Sequence, residues 1–229
     1  MADVLLIRHG QASFGAADYD RLSATGEDQS RLLGQWFGRI GTVPDLVVTG
    51  SMRRHARTAE LCLETAAIDA PTLVVPGFDE MDHLEVLARH RPDLVAPGAL
   101  VAELAAAADP QRAFQDLFAA AASRWTCGEH DGDYACTWDR FRTNVLAALQ
   151  MLAGHAARRI WVFTSGGPIA VIVNALMGAP VDRTFESAWP LVNTSTTRIA
   201  LGADRNLLLG YNMWPHLEVA GDASLVTYR

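Results

Sequence analysis

Four short apolar runs, Val4–Ile7, Leu46–Val48, Leu73–Val75 and Ile160–Phe163, constrain the fold more than any other feature. Each is rich in Val, Ile or Leu and none alternates with polar residues, the pattern of strands buried on both faces of a parallel sheet. Helical periodicity fills the gaps between them. Gly26–Arg39 puts Leu32, Leu33, Trp36 and Phe37 on one stripe, and Arg53–Ala67 groups Ala56, Ala59, Leu61, Cys62 and Leu63. Asp133–Leu152 keeps Phe141, Val145, Leu149 and Leu152 in step, and Ile169–Met177 follows the fourth run. This alternation predicts an α/β fold with right-handed crossovers: three layers, α/β/α, around a mostly parallel sheet with helices on both faces. Thr196–Leu201 and Leu207–Asn212 read as two more strands, joined by a turn at Gly202–Arg205, that extend one edge.

The 229 residues fit one domain, 1–229, with a helical insertion at about 82–132. Asp82–Gly132 holds an alanine-rich run (Ala99–Ala108), a helix start at Pro110 and a further helix through Phe114–Ser123, with no linker-like tract at its borders. Its apolar face suits packing on the core or on a second copy in a homodimer, and the sequence leaves both open. Half the residues are hydrophobic and a fifth charged, which is a globular composition. With 19 Lys and Arg against 26 Asp and Glu, the net charge of −7 argues against a nucleic-acid partner. Three cysteines (Cys62, Cys127, Cys136) make no disulfide framework and favour a reducing compartment. The apolar run before Arg8 is too short for a signal peptide. Pro168–Pro180, interrupted by Asn174, falls short of the roughly 20 residues a membrane span needs. The expectation is a cytoplasmic protein without a membrane partner.

Ligands of open parallel sheets bind at the carboxyl ends of the strands. After the first run comes Arg8-His9-Gly10-Gln11, and after the second Thr49-Gly50-Ser51-Met52-Arg53-Arg54-His55-Ala56-Arg57-Thr58-Ala59. After the third comes Asp79-Glu80-Met81-Asp82-His83, and after the fourth Thr164-Ser165-Gly166-Gly167-Pro168. All four polar clusters fall on one edge of the expected sheet. Arginines beside a histidine and a helix N-terminus suit a phosphate dianion. The histidine can take the phosphoryl group covalently, and a carboxyl group can protonate the leaving oxygen and then activate water. That chemistry requires no metal and no cofactor.

These residues resemble the motifs of the histidine phosphatase superfamily, also called phosphoglycerate mutase-like. Arg8-His9-Gly10-Gln11 is similar to its signature Arg-His-Gly-[Glu/Gln], and Gly50–Glu60 to its second motif, Ser-Pro-Leu-x-Arg-Ala-x-Gln-Thr-Ala. The resemblance implies catalytic roles for His9, Arg8 and Arg54, and a proton donor at Glu80 in the segment after Phe78. It also implies substrate contacts at Gly10, Gln11, Ser13, Ser165 and Gly166, and a small phosphorylated substrate or inorganic phosphate as the partner. Arg53 and Arg57 compete with Arg54 for the inward position. The Trp-Asn pair of the family's mutases is absent, which argues against a phosphoglycerate mutase.

Two positions depart from the family. Ser165 stands where the pattern His-Gly-Gly has its histidine, and Gly15 where an Asn follows the signature. Loss of one hydrogen-bond donor to a transition state costs on the order of 10²–10³ in rate. A degenerate phosphate-ester binding protein is therefore the alternative to a metal-independent phosphomonoesterase. Ser165 also reads as a plain N-cap. Asp79, Glu80, Asp82 and His83 give a weaker third reading as metal ligands. Cys127, His130 and Cys136 have no recognised zinc spacing. His216, in a family-like Asn-x-x-x-His-Leu element, reads as structural, and the tryptophans read as core.

Overall fold

The computed structural model describes residues 1–13, 20–202 and 205–228, the side chain of Gln111 excepted. Gly15, and part of the turn at Gly202–Arg205, fall outside them.

The strands are β1 (Ala2–Arg8), β2 (Leu46–Thr49), β3 (Thr72–Val74), β4 (Arg159–Thr164), β5 (Thr196–Leu201) and β6 (Leu207–Met213). They form one sheet in the order β3-β2-β4-β1-β5-β6. The first four strands run parallel, while β5 and β6 are antiparallel additions at one edge. Helices α1 (Ala24–Ile40) and α2 (Arg53–Ala66) follow β1 and β2. Leu33, Phe37, Ala59 and Cys62 from these helices pack on Ile7, Val47, Trp161 and Phe163 from one face of the sheet. Val4, Leu6, Val48, Ile160 and Val162 point to the other face. There they meet α6 (Trp138–Ala153) and α7 (Gly166–Met177) through Phe141, Val145, Leu149, Ile169 and Ile172. The period-two alternation of side chains sends residues of one strand into two cores, and apolar runs without alternation satisfy both.

β3 is the exception. Leu73 and Val74 are 38% and 56% exposed, so this run is a short edge strand and not one buried on both faces. It pairs only with β2, which leaves its outer side in solvent.

Between β3 and α6 lie α3 (His83–His90), α4 (Ala99–Ala106) and α5 (Pro110–Thr126). The α5 residues Phe118, Ala121, Ala122 and Trp125 join the same core as Phe141 and Phe185. The expected helix over Asp133–Leu152 starts later, at Trp138. Thr137 ends the preceding turn by accepting the Arg140 N–H on its side chain. α7 starts earlier than expected, at Gly166, so that its first turn lies at the end of β4. The chain closes with α8 (Thr184–Ala188), α9 (Pro215–Ala220) and a 3₁₀ turn at Ala223–Leu225. Among the described residues no helix is long and apolar enough to cross a membrane.

Candidate active site

β1 and β4 are neighbours with Arg8 opposite Thr164, so His9 and Ser165 leave the sheet side by side. The His9 N–H donates to the Thr164 carbonyl at 2.9 Å. β2 lies on the other side of β4, and the Gly50 N–H donates to the Phe163 carbonyl. The Thr164 hydroxyl holds the Phe78 carbonyl at 2.6 Å, which fixes the turn that delivers Glu80. Arg8, His9, Arg54, Glu80, Met81, His83, Gly166 and Gly167 line part of one cavity of about 160 Å³ at this edge.

His9 is 4% exposed. Its Nδ1 lies 2.7 Å from the Gly10 carbonyl. A carbonyl only accepts, so Nδ1 carries the proton and the Nε2 lone pair is left for chemistry. Burial, and then the guanidinium groups of Arg54 and Arg8, hold the imidazole well below its ordinary pKa, so it is neutral. The Asn193 amide and the Thr194 N–H both donate to the His9 carbonyl. Thr194, in the left-handed region at φ +60°, is braced by its hydroxyl against Nε2 of buried His216 at 2.8 Å. His216 is thus a support for the backbone at His9. Gly10 packs against α1, where a Cβ would stand 2.3 Å from the Gly26 carbonyl.

Arg54 is the inward arginine of its helix, while Arg53 is exposed. Its Nη1 meets the Asp20 carboxylate at 2.8 Å. The same carboxylate accepts the Arg53 backbone N–H and so caps the start of α2 from outside that helix. Arg57 points elsewhere, to Glu27 and Glu60. Arg8 is held by the carbonyls of Leu191 and Tyr228. Tyr228 belongs to a C-terminal strap, in which Thr227 also meets Gln29 and Asn193. Neither this strap nor Asp20 carried a sequence signal.

Glu80 is half-buried, and the desolvation of its carboxyl pushes its pKa up, against the opposing pull of the Gly167 N–H and Arg54. Its two oxygens accept from the backbone N–H groups of Met81 and Gly167, at 3.2 and 3.1 Å. A Cβ on Gly167 would come within 2.1 Å of Oε1, so only glycine permits this approach. A carboxyl group whose pKa is raised suits a general acid.

Of the expected substrate contacts, Gly166 lines the cavity, whereas Gly10, Gln11, Ser13 and Ser165 are not among its lining residues. Gln11 Oε1 accepts from the Ser23 hydroxyl, and the Ser13 hydroxyl donates to the Leu22 carbonyl. Ser165 occupies the N-cap position of α7 but makes no side-chain cap bond. Its Oγ lies 2.7 Å from Nε2 of His55, and both residues are fully buried. The two imidazoles of His9 and His55 are 5.8 Å apart, centre to centre. His55 is the neighbour of His9 that the sequence did not single out. The available signal was that it replaces the Ala after the motif's arginine.

The residues read as metal ligands separate in space. Asp79 holds the N–H and hydroxyl of Ser51, Asp82 caps α3, and Glu80 and His83 face the cavity. Among the described residues one metal-like group forms elsewhere, by Cys127, Glu129 and His130 in a turn after α5, without Cys136. Trp189, half-buried, packs against the core and also lines the cavity.

A family model for the histidine phosphatase superfamily (branch 1) matches residues 4–213. The chain belongs to that superfamily. Its fold is shared with an alpha-ribazole phosphatase of Shigella flexneri, at 19% identity and a TM-score of 0.61, covering 92% of this chain and 96% of the other. A phosphoserine phosphatase of Entamoeba histolytica matches at 17% identity and a TM-score of 0.61, covering 95% and 100%. In sequence, 75 residues are 35% identical to a 2,3-bisphosphoglycerate-dependent phosphoglycerate mutase of Thermobifida fusca, 30% of either chain. Proteins named as phosphatases and one named as a mutase are thus among those this chain resembles.

Proposed function

We propose that this protein is a metal-independent phosphomonoester hydrolase working through a phosphohistidine at His9. The observation that carries the reading is the His9 Nδ1 contact to the Gly10 carbonyl, which leaves Nε2 as an unprotonated nucleophile in a cavity with Arg8, Arg54 and Glu80. His9 Nε2 attacks phosphorus while the ester P–O bond breaks, and Glu80 gives its proton to the leaving oxygen. Glu80, now a carboxylate, takes a proton from water, whose oxygen attacks phosphorus and releases phosphate and neutral His9. Arg8 and Arg54 balance the charge on the transferring group. Each guanidinium carries five N–H donors, so its protein anchors are compatible with an anion.

The test is hydrolysis of 4-nitrophenyl phosphate in excess chelator by wild type and His9→Ala, with trapping of acid-labile phosphate on the protein. Activity that survives chelation, disappears in His9→Ala and leaves trapped phosphate is the expected result. Turnover without trapped phosphate, or turnover retained in His9→Ala, overturns it. One observation favours the second reading, a phosphate-ester binding protein with little turnover: the Ser165 hydroxyl is engaged by His55 away from the cavity lining. Phosphate binding without hydrolysis is the outcome that selects it.

A further inference from the structure

The cavity has two unlike ends. One carries His9, Arg8, Arg54 and Glu80. The other is walled mainly by Phe114 and Phe118 of α5, Phe185 and Ala188 of α8, Trp189 and Met81, with the uncharged Gln115 amide of α5 among these aromatic and aliphatic groups. These aromatic groups form one connected wall. Phe118 stands edge-on to Trp189 at 5.4 Å and to Phe185 at 6.4 Å, and lies 6.2 Å from Phe114. Phe118 and Phe185 are buried, so they are fixed before any ligand arrives.

Cations are confined to the phosphoryl end. Arg8 and Arg54 are the arginines lining the cavity, and the sequence contains no lysine at all. His83, on the lining, is kept below its ordinary pKa by burial and by Arg54, so it brings no full charge at neutral pH. A carboxylate or second phosphate on the leaving group would lose its water against aromatic carbon with no counter-charge, which is strongly unfavourable. An apolar ring gains by the same burial.

We infer that the site selects phosphomonoesters whose leaving group is apolar or aromatic and uncharged, and discriminates against phosphoglycerate-like esters that carry a carboxylate. This rests on the phosphomonoesterase reading, and the apolar wall adds the substrate class to it.

The experiment compares benzyl phosphate with 3-phosphoglycerate, two esters of unactivated alcohols, so that selectivity and not leaving-group reactivity is read. Calorimetry with benzylphosphonate and phosphonoacetate, which are not hydrolysed, runs beside it. Benzyl phosphate is expected to have the higher kcat/KM by about 10- to 100-fold, the range that burial of one ring-sized apolar group supplies. Benzylphosphonate is expected to bind more tightly than phosphonoacetate by a similar factor. Trp189→Arg is expected to narrow or reverse both ratios, and Trp189→Ala, at a half-buried position, to lower the benzyl arm more than the phosphoglycerate arm. Equal or better use of 3-phosphoglycerate, or equal binding of the two phosphonates, overturns the substrate class while leaving hydrolysis standing. Tighter benzylphosphonate binding with no hydrolysis of any ester supports the class and instead removes the hydrolase reading.

Discussion

Nε2 of His55 lies 2.7 Å from Oγ of Ser165, and neither side chain reaches solvent. Burial, and then Arg54, hold His55 well below its ordinary pKa, so the bond joins a neutral imidazole to a hydroxyl. It places a second histidine beside His9 from α2, where the family pattern brings one from the end of β4.

Removing Ser165 alone strands the buried ring. Ser165→Ala is expected to destabilise the protein by about 1–3 kcal/mol, the cost of an unpaired buried polar group. In urea titrations of Ser165→Ala, His55→Ala and the double variant, the two sites should couple by roughly 1 kcal/mol or more. Strict additivity would show the bond to be idle.

Ser165→His is expected to lower stability and activity, because the position has no spare volume beside His55. Combining it with His55→Ala clears that volume and should recover activity lost in the single variant. The measurement is kcat of all three proteins on 4-nitrophenyl phosphate. A single variant more active than wild type would contradict the crowding argument.

Gly167→Ala acts on Glu80 through the 2.1 Å approach of a Cβ to Oε1. Displacement of a general acid typically removes about 10²–10⁴ in rate. The loss should be larger for benzyl phosphate, which needs its leaving oxygen protonated, than for 4-nitrophenyl phosphate. The same substrate dependence is expected for Glu80→Gln. Equal losses on both esters would argue against proton donation by Glu80.

The pH dependence follows from two opposite shifts. His9 is lowered, so it stays neutral and nucleophilic well into the acid range; Glu80 is raised, so it stays protonated above the usual carboxyl range. Phosphoryl transfer from alkyl esters should therefore be fastest at mildly acidic pH and fall as pH rises through the Glu80 pKa. Single-turnover rates across pH check this, and in Glu80→Gln the alkaline fall should vanish.

Stability has its own acid limb. Burial lowers the His216 pKa to about 3 in the folded protein, against about 6.5 unfolded. The unfolded state takes up the proton first, so stability is full above the unfolded value and falls as pH drops towards 3. In His216→Gln the slope of unfolding free energy over that window should shrink by up to about 1.4 kcal/mol per pH unit. An unchanged slope would mean His216 is not a buried neutral group.

The four apolar runs, their order and the polar clusters behind them determined much of this molecule in advance. Non-alternating Val, Ile and Leu suit burial on both faces, and parallel strands bring their carboxyl ends to one edge, so the clusters that hold His9, Arg53 to Arg57, Glu80 and Gly166 could be gathered there from sequence. β3 was legible as a strand but not as an edge, because exposure depends on which neighbours exist. The second motif left Arg53, Arg54 and Arg57 as rivals, and only the rotation of α2 against the sheet turned Arg54 inward.

Contacts between distant segments were decided by tertiary structure. Asp20 on Arg54, Asn193 and Thr194 on the His9 carbonyl, and the Tyr228 carbonyl on Arg8 are set by packing, and no local periodicity encodes them. The same holds for Ser165. Its identity was plain in the chain, but its partner is 110 residues away, and only the pairing of β2 with β4 brings the two together. A sequence records which groups are available to a site; burial and neighbouring strands decide their protonation, their direction and which of them touch.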